Sequence, residues 1–261
     1  MPLPAHGPIN CRICWSGCAG GQRGFGGPSP TGQDRFRLVN DPGAWGAREP
    51  RILVLGMSKG NTQSDAMRAA HQDGSFDAVP FRKMRPRLLQ VLQAVGLMRG
   101  EREIDHRFQA DEAEYGWGSI LRCSLTGWDK KGYSGASGIV LRGMTHPDGK
   151  DLVPACVRQH LTDLSDRNRL VVLLGNAEGY MKLISQVFSD IFPDFRPVPG
   201  SEGVAFTAGG RTFVHVGHPS PLNGHLSGFL TGDGAHGQGA KREAARAAVQ
   251  TALATPGTRS S

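Results

Sequence analysis

Short apolar runs alternate along the chain with segments whose apolar residues recur at helical spacing, which predicts a parallel sheet with helices on both faces. The run Ile52-Leu53-Val54-Leu55, entered from Arg51 and closed by Gly56, is the first strand. A Gly-containing loop over 57–61 leads into a short helix starting near Thr62 or Ser64. Leu88, Leu89, Val91, Leu92 and Val95 put one apolar face on a helix over 86–97, with Gly96 marking its end. A second strand is expected over 118–124, where Ile120 and Leu121 run into Cys123, and a helix over 152–164. Leu170 to Leu174 reads as a third strand, followed by a helix over 177–191. The stretch 204–216 reads as a hairpin turning at Gly209-Gly210, whose second arm delivers His218.

Two stretches break this pattern. Residues 17–32 are rich in Gly, Pro, Ser and Thr and read as poorly ordered unless metal ligation ties them down. Residues 130–150 read as a long surface insertion. An Ala-rich helix is expected over 241–254 and a disordered tail over 255–261. The expected organisation is therefore a cysteine-pair and Gly-rich segment over 1–32, an α/β domain over 33–239 carrying the insertion, and a C-terminal helix and tail over 240–261. The fold class is three-layer α/β/α around a central, mostly parallel sheet.

Composition changes this picture in two ways. Lys and Arg outnumber Asp and Glu by 30 to 23, a net charge of +7, which favours a polyanionic partner such as nucleic acid. No apolar run is long enough to span a bilayer, and the first residues lack the basic start and apolar core of a signal peptide. A cytoplasmic, monomeric protein without membrane contact is the expectation.

Candidate chemistry concentrates after the hairpin, in His218-Pro219-Ser220-Pro221-Leu222. Two prolines stiffen the loop and hold an imidazole at a strand tip, where open α/β sheets bind ligands. Such a group can stabilise a carbonyl oxygen that becomes negative during reaction. An apolar Leu222 beside it suits a protein that unstacks a base and acts on it. Phe81, between Pro80 and the basic pair Arg82-Lys83, combines an aromatic face with cations, as a groove tracking phosphates does.

Five cysteines, in the reducing compartment expected, point to metal or redox chemistry rather than a disulfide framework. Cys11 and Cys14 form a C-x-x-C pair able to take two corners of one metal or cluster. The remaining ligands come from Cys123 and Cys156, or Cys18 replaces one of these.

The order of these segments resembles the family 4 uracil-DNA glycosylases, over roughly residues 11–230. Gly56 and Gly60 stand where that family's first motif, usually Gly-Glu-x-Pro-Gly, has its glycines. Pro80-Phe81 with Leu88-Leu89 is similar to its Pro-Phe and Leu-Leu segment, Leu174-Gly175-Asn176 to its Leu-Gly-Asn turn, and His218-Pro219-Ser220 to its last motif. Pro221-Leu222 is closer to the family 1 version, whose Leu enters the duplex as a wedge. The resemblance implies a 4Fe-4S cluster on Cys11, Cys14, Cys123 and Cys156. It implies a DNA glycosylase acting on single- or double-stranded DNA, with His218 stabilising the departing base and Phe81, Ser119, Met57 and Asn176 around that base. Lys59, Arg82, Lys83, Ser220, Pro221 and Leu222 would then contact DNA.

Two departures from the family matter. Met57 stands where the family has a carboxylate, so Asn61, Gln63 and Asp65 are the polar candidates for handling water. Ser119 replaces an Asn that reads the uracil edge, and a lone hydroxyl lacks the fixed donor-acceptor pair of an amide. A modified, bulkier pyrimidine, such as those of phage DNA, becomes a candidate substrate. A catalytically silent DNA-binding relative and a small iron-sulfur redox protein are the alternatives.

Overall fold

A computed structural model describes residues 3–15, 18–29, 31–233 and 237–254. The tail expected over 255–261 lies outside the described residues. In chain order the strands are β1 Gly7–Pro8, β2 Gln22–Pro28, β3 Asp34–Val39, β4 Gly43–Gly46, β5 Ile52–Gly56, β6 Tyr115–Ser119, β7 Ser124–Asp129, β8 Gly132–Ser134, β9 Leu170–Leu174, β10 Arg196–Pro197, β11 Ala205–Ala208 and β12 Arg211–Val216. The helices are α1 Asn61–Asp73, α2 Arg85–Ala94, α3 Ser137–Thr145, α4 Leu152–His160, α5 Glu178–Ile191, α6 Leu226–Thr231 and α7 Gln238–Ala254.

The main sheet is eight-stranded, in the order β1-β4-β6-β5-β9-β12-β11-β10. Its four central strands, β6, β5, β9 and β12, are mutually parallel, and antiparallel strands flank them on both sides. Strands buried on both faces read as continuous apolar runs, as β5 and β9 do. Their alternate residues feed two separate cores. Ile52, Val54, Val172 and Val214 face the layer of α1, α2, α6 and α7. Leu53, Leu55, Val171 and Phe213 face that of α3, α4 and α5. The protein is thus mixed α/β with helices on both faces of a large sheet.

Four expectations change. The strand placed over 118–124 ends at Ser119, and Ile120 to Cys123 form a buried connection to β7. An unbroken buried stretch hid that boundary. β7 belongs to a second, antiparallel sheet of order β2-β3-β7-β8, whose Phe36, Leu38 and Leu125 join the core beneath α3. That sheet takes up Gln22–Pro28, from the stretch read as poorly ordered, so the boundary drawn at residue 32 falls inside a hairpin. The stretch 130–150 is no mere surface insertion, because β8 and α3 occupy it and Ile139, Val140 and Met144 are buried. Helix α7 begins three residues before the expected start, and Ala245, Ala248, Val249 and Ala252 bury it against the sheet. It is part of the α/β body rather than an appendage. Among the described residues no helix is long and apolar enough to cross a membrane.

Candidate active site

Because the four central strands run parallel, their C-terminal ends share one edge of the sheet. The loops after β5, β9 and β12 meet there, and ligands bind in that crevice in open α/β sheets. They enclose a cavity of about 1080 Å³ with Met57, Asn61, Phe81, Ser119, Asn176 and His218 in its wall. Gln63, Arg82, Lys83, Ser220, Pro221 and Leu222 also line it. Most of the expected site residues, from five chain segments, therefore converge.

His218 is partly buried at the end of β12. Its Nδ1 accepts a hydrogen bond from the Ser220 backbone N–H at 3.1 Å. A backbone amide only donates, so the ring proton of the neutral imidazole sits on Nε2. Burial pulls the ring down to about 4, so it is neutral at pH 7. Nε2 makes no hydrogen bond among the described residues and is a free donor.

The following turn is tied internally. Asn223 Nδ2 donates to the His218 carbonyl at 2.8 Å, and the Leu222 N–H donates to Ser220 Oγ at 3.2 Å. That turn leaves Leu222 84% exposed. Ile13 is the other large exposed apolar side chain among the described residues. An apolar side chain held in water by that turn adds no packing to the fold.

Phe81 has a left-handed backbone, φ 51°, and Lys83 another, φ 66°. Such conformations are costly for residues with side chains and persist where surrounding contacts enforce them. The enforcing contact is visible: the Phe81 N–H donates to Gln63 Oε1 at 3.1 Å. The ring packs edge-on against Trp117 with centroids 6.0 Å apart. A Cβ on Gly56 would stand 3.6 Å from Phe81 Cε1 and 3.7 Å from Ser119 Oγ, so these two side chains border one floor. Arg82 and Lys83 are exposed at the rim. Neighbouring Arg85 is turned inward, donating to the Pro80 carbonyl and pairing with Asp105.

Two expected site residues are not brought to the cavity. Asp65 faces solvent from α1 and pairs with Arg68 at 3.2 Å. Lys59, expected to touch DNA, is 2% exposed: its Nζ donates to the Arg122 carbonyl and lies 3.5 Å from the Asp41 carboxylate. A lysine in a Gly-rich loop reads as exposed in sequence, and only the tertiary placement of Asp41 reveals its burial. Asn61 does line the cavity. Its Nδ2 donates to the Tyr133 carbonyl at 2.7 Å, leaving Oδ1 unspent.

The structure adds wall residues that the sequence did not single out. Asn176 Nδ2 donates to Gln238 Oε1 at 2.8 Å, and Lys241 Nζ to the Asn176 carbonyl at 3.2 Å. Both partners come from α7, far along the chain. Glu178 contributes the one carboxylate in the cavity wall among the described residues, and its place two residues after Asn176 was the available signal. Beneath the turn, fully buried Tyr180 and His215 pack edge-on, and His215 Nδ1 donates to the Gly175 carbonyl at 2.8 Å.

The cysteines gather on the other side of the loop that carries Lys59. Cys14 shares a hydrogen bond with Cys156 that lowers Cys14 to about 7 and raises Cys156. Burial raises Cys123 to about 11, with Trp15, Cys14 and Lys59 beside it. Arg122 is 2% exposed and has no carboxylate partner among the described residues; burial lowers it to about 10, opposed by nearby Cys156 and Cys11. Its Nη1 donates to the Gly43 carbonyl at 3.5 Å while its Nη2 is buried without an acceptor, and the Trp15 N–H is aimed at the Cys123 sulfur, which it pulls down against burial. Buried cations and N–H donors are costly unless paired, so this donor set fits an anionic, sulfur-rich group. Among the described residues no three His, Cys, Asp or Glu side chains are grouped to hold a metal ion. Cys18 is half-buried near the same core, and its carbonyl accepts from Arg12 at 2.7 Å.

No protein-family model matches the chain, and no curated protein matches it.

Proposed function

We propose that this chain is a DNA glycosylase of the uracil-DNA glycosylase superfamily, most like its family 4 iron-sulfur type. It flips a modified or damaged base, uracil or another pyrimidine, and hydrolyses the N-glycosidic bond to leave an abasic site. The observation that carries this reading is a neutral His218 whose Nε2–H is unspent in a cavity wall, four residues before the exposed Leu222.

In this reading Arg82 and Lys83 draw in the sugar-phosphate chain. Leu222 enters the stack as the base leaves it, and Phe81 and Ser119 receive the base. As the bond from C1′ to the base nitrogen breaks, its electron pair moves onto the base. The His218 Nε2–H then donates a hydrogen bond to the base oxygen that gains charge. A neutral donor in a water-poor site needs no reorganisation at that moment. The sugar becomes oxocarbenium-like, water oxygen bonds to C1′, and the water's proton balances the departing base. Asn61 Oδ1 accepts from that water and orients it. Gln63 acts through Phe81 as a positioning residue.

Cys11, Cys14, Cys123 and Cys156 would hold a 4Fe-4S cluster in the same reading, and the cluster would supply a structural cross-link among distant segments of the chain. Its negative charge would compensate the buried Arg122 guanidinium.

Incubation with single- and double-stranded oligonucleotides, each carrying one modified base, tests the function. Release of a free base, identified by mass, together with an alkali-labile abasic site is the expected result. Tight binding with no release from any of them would point to a silent DNA-binding relative, for which Met57 at the carboxylate position is the favouring observation.

A further inference from the structure

We infer that the base entering the cavity is a pyrimidine bearing a hydroxyl-rich substituent of about hexose size. This rests on the glycosylase reading above and names its substrate class.

The first observation is space. At about 1080 Å³ the cavity stands at the top of the roughly 300–1,000 Å³ range of sites that enclose drug-sized ligands. With the sugar-phosphate chain taking the rim at Arg82, Lys83 and Leu222, a bare pyrimidine still leaves room. Its walls reach beyond the base-binding residues to 133–138 and to Gln238 and Lys241 of α7. Close backbone approach shapes this extension: a Cβ on Gly135 would come within 2.8 Å of Gly60 Cα, so only glycine lets the β8–α3 segment sit against the loop after β5.

The second observation is the chemistry of the wall. Gln63 spends its Oε1 on the Phe81 N–H, Asn176 spends its Nδ2 on Gln238, and Gln238 spends its Oε1 in return. The Phe81 N–H fixes the Gln63 amide, and Asn176 and Gln238 hold one another, so each presents one free end to the cavity. What remains unspent is the Nε2 of Gln63, the Oδ1 of Asn176 and the Nε2 of Gln238, beside a Lys241 ammonium that uses one proton on the Asn176 carbonyl. Preset donors mixed with an acceptor match hydroxyl groups, which donate and accept together. An apolar substituent would leave these amides unpaired.

The third observation is the base end itself. Ser119 offers one hydroxyl there, too little to separate one pyrimidine edge from another. Discrimination then comes from the substituent, where polar contacts are more numerous. The chemistry of bond cleavage does not change: the bond from C1′ to the base nitrogen breaks, water oxygen joins C1′, and the base leaves with its substituent intact and one proton.

The test is a single-turnover comparison of three matched oligonucleotides containing uracil, 5-hydroxymethylcytosine, or 5-hydroxymethylcytosine carrying a glucosyl group on its hydroxyl. The expected result is release of the glucosylated base with kcat/KM at least about tenfold above the other two. Gln238→Leu, which keeps the helix and removes the amide, is expected to narrow that preference at least about threefold. Equal or faster release of uracil or the unglucosylated base overturns the inference while leaving the glycosylase reading intact. Absence of release from all three overturns both.

Discussion

The cavity and the cysteine region lie near one another yet differ in the charge they bury. In the cavity the amides of Asn61, Gln63, Asn176 and Gln238 have one end anchored within the fold and the other unspent, and His218 is held neutral. In the cysteine region the Arg122 guanidinium is buried without a carboxylate among the described residues, and its Nη2 has no acceptor. Unpartnered buried atoms occur at both, since the Tyr180 hydroxyl in the cavity wall and the His215 Nε2 beneath it have no partner either. What sets the cysteine region apart is a buried cation without a carboxylate, which is costly unless an anion compensates it. Under the proposed function, that difference separates a place for turnover from a place for a permanent structural group.

The largest effect should come from breaking that difference at the cysteine end. If the proposed cluster is bound, its loss leaves Arg122 a buried cation without compensation, a situation that costs about 3–5 kcal/mol. Chelation or Cys156→Ser should therefore lower the denaturant midpoint sharply, and Arg122→Met should recover part of the loss in the iron-free protein while destabilising the iron-loaded one. Equal effects of Arg122→Met in both forms, followed by iron content and urea unfolding, would remove the anion from the account.

The next effect concerns pH. His215 and His218 are both lowered to about 4 by burial, against about 6.5 in the unfolded chain. Between those values the unfolded state binds more protons, so stability is full above about pH 6.5 and is lost as pH falls through 4. Each imidazole contributes up to about 1.4 kcal/mol per pH unit in that window. Urea melts from pH 7 to 4 should show this slope, and His215→Phe should flatten it. A profile unaffected by that substitution would mean that His215 is not held neutral.

A smaller change is expected from Gln63→Leu, which removes the acceptor holding Phe81 in its left-handed conformation. An unpaired backbone N–H costs about 1–3 kcal/mol. If Gln63 works by positioning, kcat falls while DNA affinity is kept, and Gln63→Glu, which retains the acceptor oxygen, restores much of the rate.

The smallest stability effect belongs to Leu222→Ala. At 84% exposure the side chain supports no packing, so the melting midpoint should move by less than about 0.5 kcal/mol equivalent. Its signature is functional instead: excision from duplex falls while excision from single strands, which need no stack filled, stays the same. A comparable loss on both substrates would remove the wedge role.

The turnover region was more legible in sequence than the resident one. Parallel strands buried on both faces announce themselves as apolar runs, and Gly209-Gly210, with φ 56° and 71°, punctuates its hairpin where expected. A strand tip followed by His-Pro-Ser-Pro-Leu makes the placement of His218 and Leu222 beside the cavity readable in the sequence. The second sheet was hidden because Gln22–Pro28 buries Phe25 alone, so it lacks the alternation that marks a strand. Lys59 misled for a related reason: whether a lysine is a surface cation or half of a buried pair depends on Asp41, 18 positions earlier. Gln238 and Lys241 were missed because a helix near the chain end gives no local sign of which loop it will close.

The central claim is most directly tested by the single-turnover rate of base release by His218→Ala, measured on whichever DNA substrate the native protein processes. The account predicts a fall of about 10²–10³, the usual loss when one donor to a developing anion is removed, with DNA affinity and melting temperature held close to native. An unchanged rate in a folded His218→Ala protein would contradict it and place the chemistry on another residue of the cavity.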